Sequence, residues 1–170
     1  MSQNPARALS AAVVTLSDKG AKGEREDQSG EVIRQMLLDA GYLIQEVVLL
    51  PDDFELIKQT LANLCDRQVN LIVTTGGTGF SKRDVTPEAT LAIAHRNAPG
   101  IAEAIRHHSL GITGRAMLGR GASVIRGNTV IVNLPGSPKA VRESLEYILP
   151  HLRHGIEILM ESAEECGGDL

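Results

Sequence analysis

The chain has 170 residues, 42% of them hydrophobic and 22% charged, a length and composition that suit one globular domain. Seventeen Lys and Arg against twenty-one Asp and Glu leave a net charge of −4, which excludes a chain-wide field for nucleic acid or acidic lipid. Two Phe, two Tyr and no Trp exclude a single-strand groove built on stacked rings.

Met1 to Ser10 lacks the charged-then-apolar layout of a signal peptide, and no apolar run approaches the roughly 20 residues of a membrane span. A cytoplasmic protein is therefore expected. Leu9 to Leu16 reads as a buried strand and the polar stretch Ser17 to Gln28 as a loop. Ser29 opens a helix whose apolar face is Val32, Ile33, Met36, Leu37 and Ala40, with Gly41 placed to end it. Leu43 to Leu50 is a second strand, broken by Pro51. Asp52 or Asp53 caps the next helix, faced by Leu56, Ile57, Thr60, Leu61 and Leu64. Val69 to Thr75 is a third strand that runs straight into Gly76-Gly77-Thr78-Gly79. Thr86-Pro87-Glu88 supplies a cap, a first-turn proline and an acid for a helix to about Arg96. A further helix covers Ile101 to Ser109. Gly111 to Gly127 reads as loops with one short strand near Ala122 to Ile125. Thr129 to Leu134 is a buried strand, followed by the turn Pro135-Gly136-Ser137-Pro138. A helical pattern then runs from Lys139 to about Glu161, with Pro150 as a kink or break and Glu164 to Leu170 as a frayed end.

Strands alternating with helices predict an α/β architecture, a mostly parallel sheet flanked by helices on both faces, as one domain over residues 1–170 with its core at about 9–155. Such sheets bind ligands beyond the carboxyl ends of their strands, so the loops after Leu16, Leu50, Thr75 and Leu134 carry the interest.

The glycine run Gly76 to Gly79 suits either a tight turn or a backbone cradle for phosphate oxygens; it is neither a Walker loop nor a dinucleotide fingerprint. Asp52 follows the second strand and Asp84 the glycine run after the third; if those two strands are neighbours, both acids face one crevice. Paired carboxylates beside a phosphate cradle suit Mg²⁺, although Asp52 also fits plain helix capping. Ser29 reads either as an N-cap or, with the first-turn amides, as an anion site, and Asn133 to Lys139 offers a second such site. Cys65 and Cys166 form no metal or redox motif, and the five histidines read as solvated surface. No nucleophile elbow is present.

Seven segments in order carry a family resemblance: Ser17-Asp18, Asp27 to Gly30 (DQSG), Leu50 to Asp53 (LPDD), Thr74 to Thr90 (TTGGTGFSKRDVTPEAT), Pro99 to Arg106 (PGIAEAIR), Ala116 to Arg120 (AMLGR) and Asn133 to Val141 (NLPGSPKAV). Together they resemble the molybdenum-cofactor biosynthesis proteins of MogA/MoaB type, which include gephyrin and plant G-type domains. The resemblance implies a three-layer molybdopterin-binding fold and a homotrimer. It implies an adenylyltransferase that joins AMP from Mg-ATP to the terminal phosphate of molybdopterin, the adenylate then passing to a molybdate-insertion protein. A molybdopterin carrier or scaffold of MoaB type, without turnover, is the competing expectation. By similarity, Asp52 and Asp84 are the catalytic acids and position Mg²⁺. Gly76, Gly77, Thr78, Gly79, Glu88, Pro135, Gly136 and Ser137 would hold the nucleotide and its phosphates. Ser17, Asp18, Asp27, Ser29 and Gly30 would receive molybdopterin. Gly119 departs from the family, which often carries Ser there, so no ligand role is assigned to it. With so few rings, base recognition would rest on main chain and polar loops, and Phe80 is the one ring beside the glycine run.

Overall fold

The computed structural model describes residues 8–166, with side chains through Glu161. In chain order its elements are β1 (Ser10–Leu16), α1 (Asp18–Ala21), α2 (Gln28–Asp39), β2 (Leu43–Leu50), α3 (Phe54–Asp66), β3 (Leu71–Thr75), α4 (Thr86–Ala92), β4 (Arg96–Asn97), α5 (Pro99–Leu110), a 3₁₀ turn (Gly114–Leu118), β5 (Ser123–Arg126), β6 (Thr129–Leu134) and α6 (Pro138–Cys166). The six strands form one sheet in the order β2-β1-β3-β6-β5-β4. The first four run parallel; β5 is antiparallel to both β6 and β4.

Side-chain alternation along the strands builds two cores, one on each face. Ala11 and Val13 of β1, Leu71 and Val73 of β3, and Val130, Val132 and Leu134 of β6 meet Ile33 and Leu37 of α2, Ile105 of α5 and Leu145, Ile148 and Ile156 of α6. Ala12, Val14 and Leu16, with Ile72 and Ile131, face Ile57, Leu61 and Leu64 of α3, Ala89 of α4 and Ile93 just after it. The strands buried on both faces are the near-continuous apolar runs that the sequence shows. The result is a three-layer α/β fold. From β1 the chain winds outward to β2 and then crosses to β3 on the other side, so the order reverses at β1. The crevice beyond the carboxyl ends of β1 and β3 is the expected ligand position in such a sheet.

Several boundaries differ from expectation. The loop after β1 contains a single helical turn, α1, because the Ser17 hydroxyl accepts from the Gly20 amide at 3.0 Å. Asp27, not Ser29, caps α2: its carboxylate accepts from the Gly30 amide at 2.8 Å. Asp53, not Asp52, caps α3 by accepting from Leu56 at 2.8 Å. Thr86 caps nothing; its hydroxyl donates to the Gly76 carbonyl instead. The helix from Thr86 stops at Ala92 because the free edge of β5 takes up the next residues, His95 donating to Ile125 and Ala98 to Ser123. Helix α6 runs through Pro150 without a break, held by Leu145, Ile148, Leu152 and Ile156, which stay buried on either side of it. The frayed end expected from Glu164 is helical backbone to Cys166; residues 167–170 lie outside the described residues, as do residues 1–7. No helix among the described residues is long and apolar enough to cross a membrane.

Candidate active site

Four strand ends, the turn α1 and the starts of α2 and α6 enclose a cleft of about 460 Å³. Its floor is the turn after β3. Gly76 has φ +90°, and a Cβ there would lie 2.2 Å from the Leu16 carbonyl oxygen at the end of β1. Gly77 has φ +65°, and a Cβ there would lie 2.3 Å from the Thr86 hydroxyl and 2.9 Å from Asp52 Oδ1. Both positions therefore demand glycine, for conformation and for space. The Thr86 hydroxyl donates to the Gly76 carbonyl at 3.0 Å, and the Thr86 amide donates to the Gly77 carbonyl at 3.1 Å. These bonds lock the turn onto the start of α4.

Asp52 stands at the end of β2 and is locked to Asp18 at the end of β1. The Asp18 amide donates to Asp52 Oδ2 at 3.2 Å, and the Asp52 amide donates to Asp18 Oδ1 at 3.0 Å. Asp52 Oδ1 is buried and has no hydrogen-bond partner. Burial raises its pKa above the ordinary carboxylate value, and the fields of Asp18 and Asp84 add to that rise. Asp18 is shifted the opposite way, chiefly because Arg83 grips it with two nitrogens at 2.9 and 2.8 Å. Asp84 lies across the glycine loop, its Oδ2 2.8 Å from where a Gly79 Cβ would be, and it accepts from the Ser81 amide at 3.2 Å.

The cleft wall opposite Asp52 is made of two helix starts. The Ser29 hydroxyl donates to the Gly136 carbonyl at 2.7 Å and ties the first turn of α2 to the turn after β6. The Thr75 hydroxyl donates to the Pro135 carbonyl at 2.6 Å and fixes the same turn to the end of β3. Ser137 caps α6, its hydroxyl accepting from the Ala140 amide at 3.2 Å.

Of the residues singled out in the sequence, Ser17, Asp27, Ser29, Asp52, Gly76, Gly77, Asp84, Gly136 and Ser137 line this one cleft. The others sit behind it. Asp18 holds Asp52, and Gly30 packs under Thr15 and Asp27. Thr78 and Pro135 face a separate, smaller cavity of about 220 Å³ behind the loop, between α5 and the turn after β6. Gly79 gives its carbonyl to Arg120, and Glu88 is ion-paired with the same guanidinium. Thr15 and Arg25 escaped notice in the sequence, and Arg120 stood there only as the end of the AMLGR segment. Thr15 and Arg25 line the cleft, and the Thr15 hydroxyl is buried without a partner. Neither carries a motif; Thr15 is hidden inside an apolar strand and Arg25 in a polar loop.

Four of the five histidines are exposed as expected, but His108 is half-buried and stacks on Tyr147 at 4.4 Å between ring centres. Cys65 is a buried free thiol, and the Cys166 side chain lies outside the described set. Phe80 is 71% exposed and does not line the cleft. Among the described residues no group of three or more His, Cys, Asp or Glu is arranged to hold a metal ion.

Residues 12–154 match the family described as "Probable molybdopterin binding domain". The chain belongs to that family. Family relatives include the molybdopterin adenylyltransferase of Haemophilus influenzae, 45% identical over 81% of this chain and 72% of the relative, and that of Escherichia coli K12, 42% identical over 79% and 70%. Among solved structures of the molybdopterin-binding fold, the molybdopterin biosynthesis enzyme MoaB of Thermus thermophilus superposes with a TM-score of 0.84 at 43% identity, covering 89% of this chain and 96% of that one. The Mog protein of Mycobacterium ulcerans also gives 0.84, at 35% identity and coverage of 89% and 99%.

Proposed function

We propose that the chain is a molybdopterin adenylyltransferase. An oxygen of the terminal phosphate of molybdopterin attacks the α-phosphorus of ATP, the bond from that phosphorus to the β-phosphate bridging oxygen breaks, and adenylylated molybdopterin and pyrophosphate leave. The observation that carries the reading is the pair Asp52 and Asp84, held on either side of one glycine turn in the cleft where the strand order reverses. The names of the relatives supply the substrates.

The lining charge says what must accompany the phosphates. Glu26, Asp27, Asp52 and Asp84 face the cleft against one cation, Arg25. A triphosphate alone would be repelled from such a wall, and Asp52 Oδ1 is a buried carboxylate oxygen in want of a cation. Mg²⁺ fits: it commonly takes one or two carboxylates and completes its shell with phosphate oxygens and water. Asp52 and Asp84 are the residues proposed to hold it, and when bound it would neutralise the charge that develops on the transferring phosphoryl group. The protein's own contribution is placement. The glycine turn brings backbone close to the phosphates, and the bonds from Thr86, Ser29 and Thr75 keep that turn and its neighbour at fixed separation. A homotrimer, a cytoplasmic location and transfer of the adenylate to a molybdate-insertion protein belong to the same proposal and rest on the family resemblance.

The test is incubation with molybdopterin and Mg-ATP, reading pyrophosphate release and the adenylylated product. Both products, and their loss on adding a chelator, are expected. Saturable pterin binding without pyrophosphate release would overturn the enzyme in favour of a carrier.

A further inference from the structure

Arg120 is attached to none of the strand ends that bear the acids. It lies between the 3₁₀ turn and β5, yet its guanidinium uses all three nitrogens on the loop that carries Asp84 and the helix start just after it. Nε donates to the Gly79 carbonyl at 2.7 Å, Nη2 donates to the Asp84 carbonyl at 2.8 Å, and Nη1 pairs with the Glu88 carboxylate. The Arg120 amide adds a fourth bond, to the Thr78 carbonyl at 2.9 Å. The loop from Gly79 to Asp84 is thus pinned at both ends by one side chain.

The segment that bears Arg120 is itself secured. Arg106 of α5 donates from one nitrogen to the Gly121 carbonyl at 2.8 Å and the Gly119 carbonyl at 3.4 Å, the two residues flanking Arg120. Gly121 packs so tightly on β6 that a Cβ there would lie 3.0 Å from the Asn133 carbonyl oxygen. Position is therefore passed from α5 and β6 through the Arg120 backbone to its side chain and on to the Asp84 loop. Only a planar guanidinium has the fork to reach three acceptors at once; a lysine ammonium is a single point charge.

We propose that Arg120 is the positioning residue for Asp84, resting on the adenylyltransferase reading: it holds the backbone of the acid-bearing loop so that the Asp84 carboxylate stays opposite Asp52. Arg120 does not itself line the cleft. Its loss is expected to act on the loop from Gly79 to Glu88 that carries Asp84 and to leave the turn at Gly76 and Gly77, which Thr86 ties to the start of α4, in place.

Two measurements decide it. Hydrogen exchange compares wild type with Arg120→Ala: amides within 78–88 lose protection while those of β1, β3 and β6 keep it. Unchanged exchange across 78–88 overturns the proposal whether or not the protein is an enzyme, which separates its failure from a failure of the adenylyltransferase reading. Kinetics compare Arg120→Ala, Asp84→Asn and the double variant. Arg120→Ala is expected to lower kcat about tenfold to a hundredfold with KM for ATP within about threefold, the scale of a small misplacement of a reacting group. In the Asp84→Asn background the same change should cost less than about twofold, because the pathway through Asp84 is already gone. A full multiplicative loss in the double variant overturns the proposal. If Arg120→Ala does not fold, Arg120→Lys and Arg106→Ala carry the same comparison, with smaller losses expected in the same direction and equal wild-type activity in both overturning it.

Discussion

Substituting Ala at Gly76 tests the central feature of the site, the contact between the glycine turn and the end of β1. Two costs add. The backbone at φ +90° disfavours any L side chain, by roughly 1–2 kcal/mol. The new methyl would also stand 2.2 Å from the Leu16 carbonyl oxygen, a backbone atom of a strand buried on both faces, so the turn must move away. Overpacking of that kind costs about 1–3 kcal/mol. The sum is about 2–5 kcal/mol, a large share of a typical domain's stability. The same molecule contains the control. Gly127, in the tight turn between β5 and β6, has φ +55° and nothing within 4 Å of its would-be Cβ, so Gly127→Ala carries the conformational cost alone. Urea unfolding followed by circular dichroism reads both. With a slope of about 2 kcal/mol per molar, Gly76→Ala should lower the midpoint by about 1–2.5 M, and Gly127→Ala by about half a molar to one molar. Equal losses in the two variants would refute the close approach to Leu16 as the reason for glycine at 76.

Neighbouring acids should separate stability from activity. Asp53→Ala removes the α3 cap and should cost about 1 kcal/mol in urea unfolding while leaving adenylyl transfer intact, whereas Asp52→Asn should abolish transfer. Asp52→Asn should also be more stable than wild type at pH 7. The folded pKa of Asp52 lies above the ordinary 3.8, so its stabilising contribution is fully present below that value and is lost as pH rises through the raised one. The advantage of the variant in thermal unfolding should therefore vanish toward pH 3.8 and below; a gap that persists in acid would contradict burial as the cause. Asn133→Ala should cost about 2–3 kcal/mol in urea unfolding, since Asn133 donates to Thr74 and Thr90 at 2.9 Å and accepts from the Ala122 amide at 3.1 Å, all in the core between β6, β3 and α4.

The strand–helix alternation, the two-faced burial of β1, β3 and β6 and the position of the cleft were legible because each rests on local pattern: apolar runs bounded by Gly, Pro and Asp, and the rule that parallel strands end at a common edge. The two acids and the glycine run were legible for the same reason, as polar residues placed directly after strand ends. The choice between Asp52 and Asp53 as the α3 cap was not. Adjacent aspartates have the same capping propensity, and only the reciprocal bonds between Asp52 and Asp18, 34 residues apart, free Asp52 for the cleft. The sequence also did not show that Glu88 pairs with Arg120, or that Asp27 caps α2 while lining the cleft.

Composition and local pattern by themselves determined an α/β sheet whose strand-end crevice would have to be lined by main chain and polar groups, since four aromatic residues leave few rings for stacking; the structure then places none of the four on the cleft. The tertiary structure decided which polar groups face that crevice and which hold the walls. Arg120, Arg106, Ser29 and Thr75 act across 13 to 107 residues of sequence. Hydrogen bonds at such separation leave no periodicity and no local signature, because their partners meet only after the sheet has brought the strand ends together.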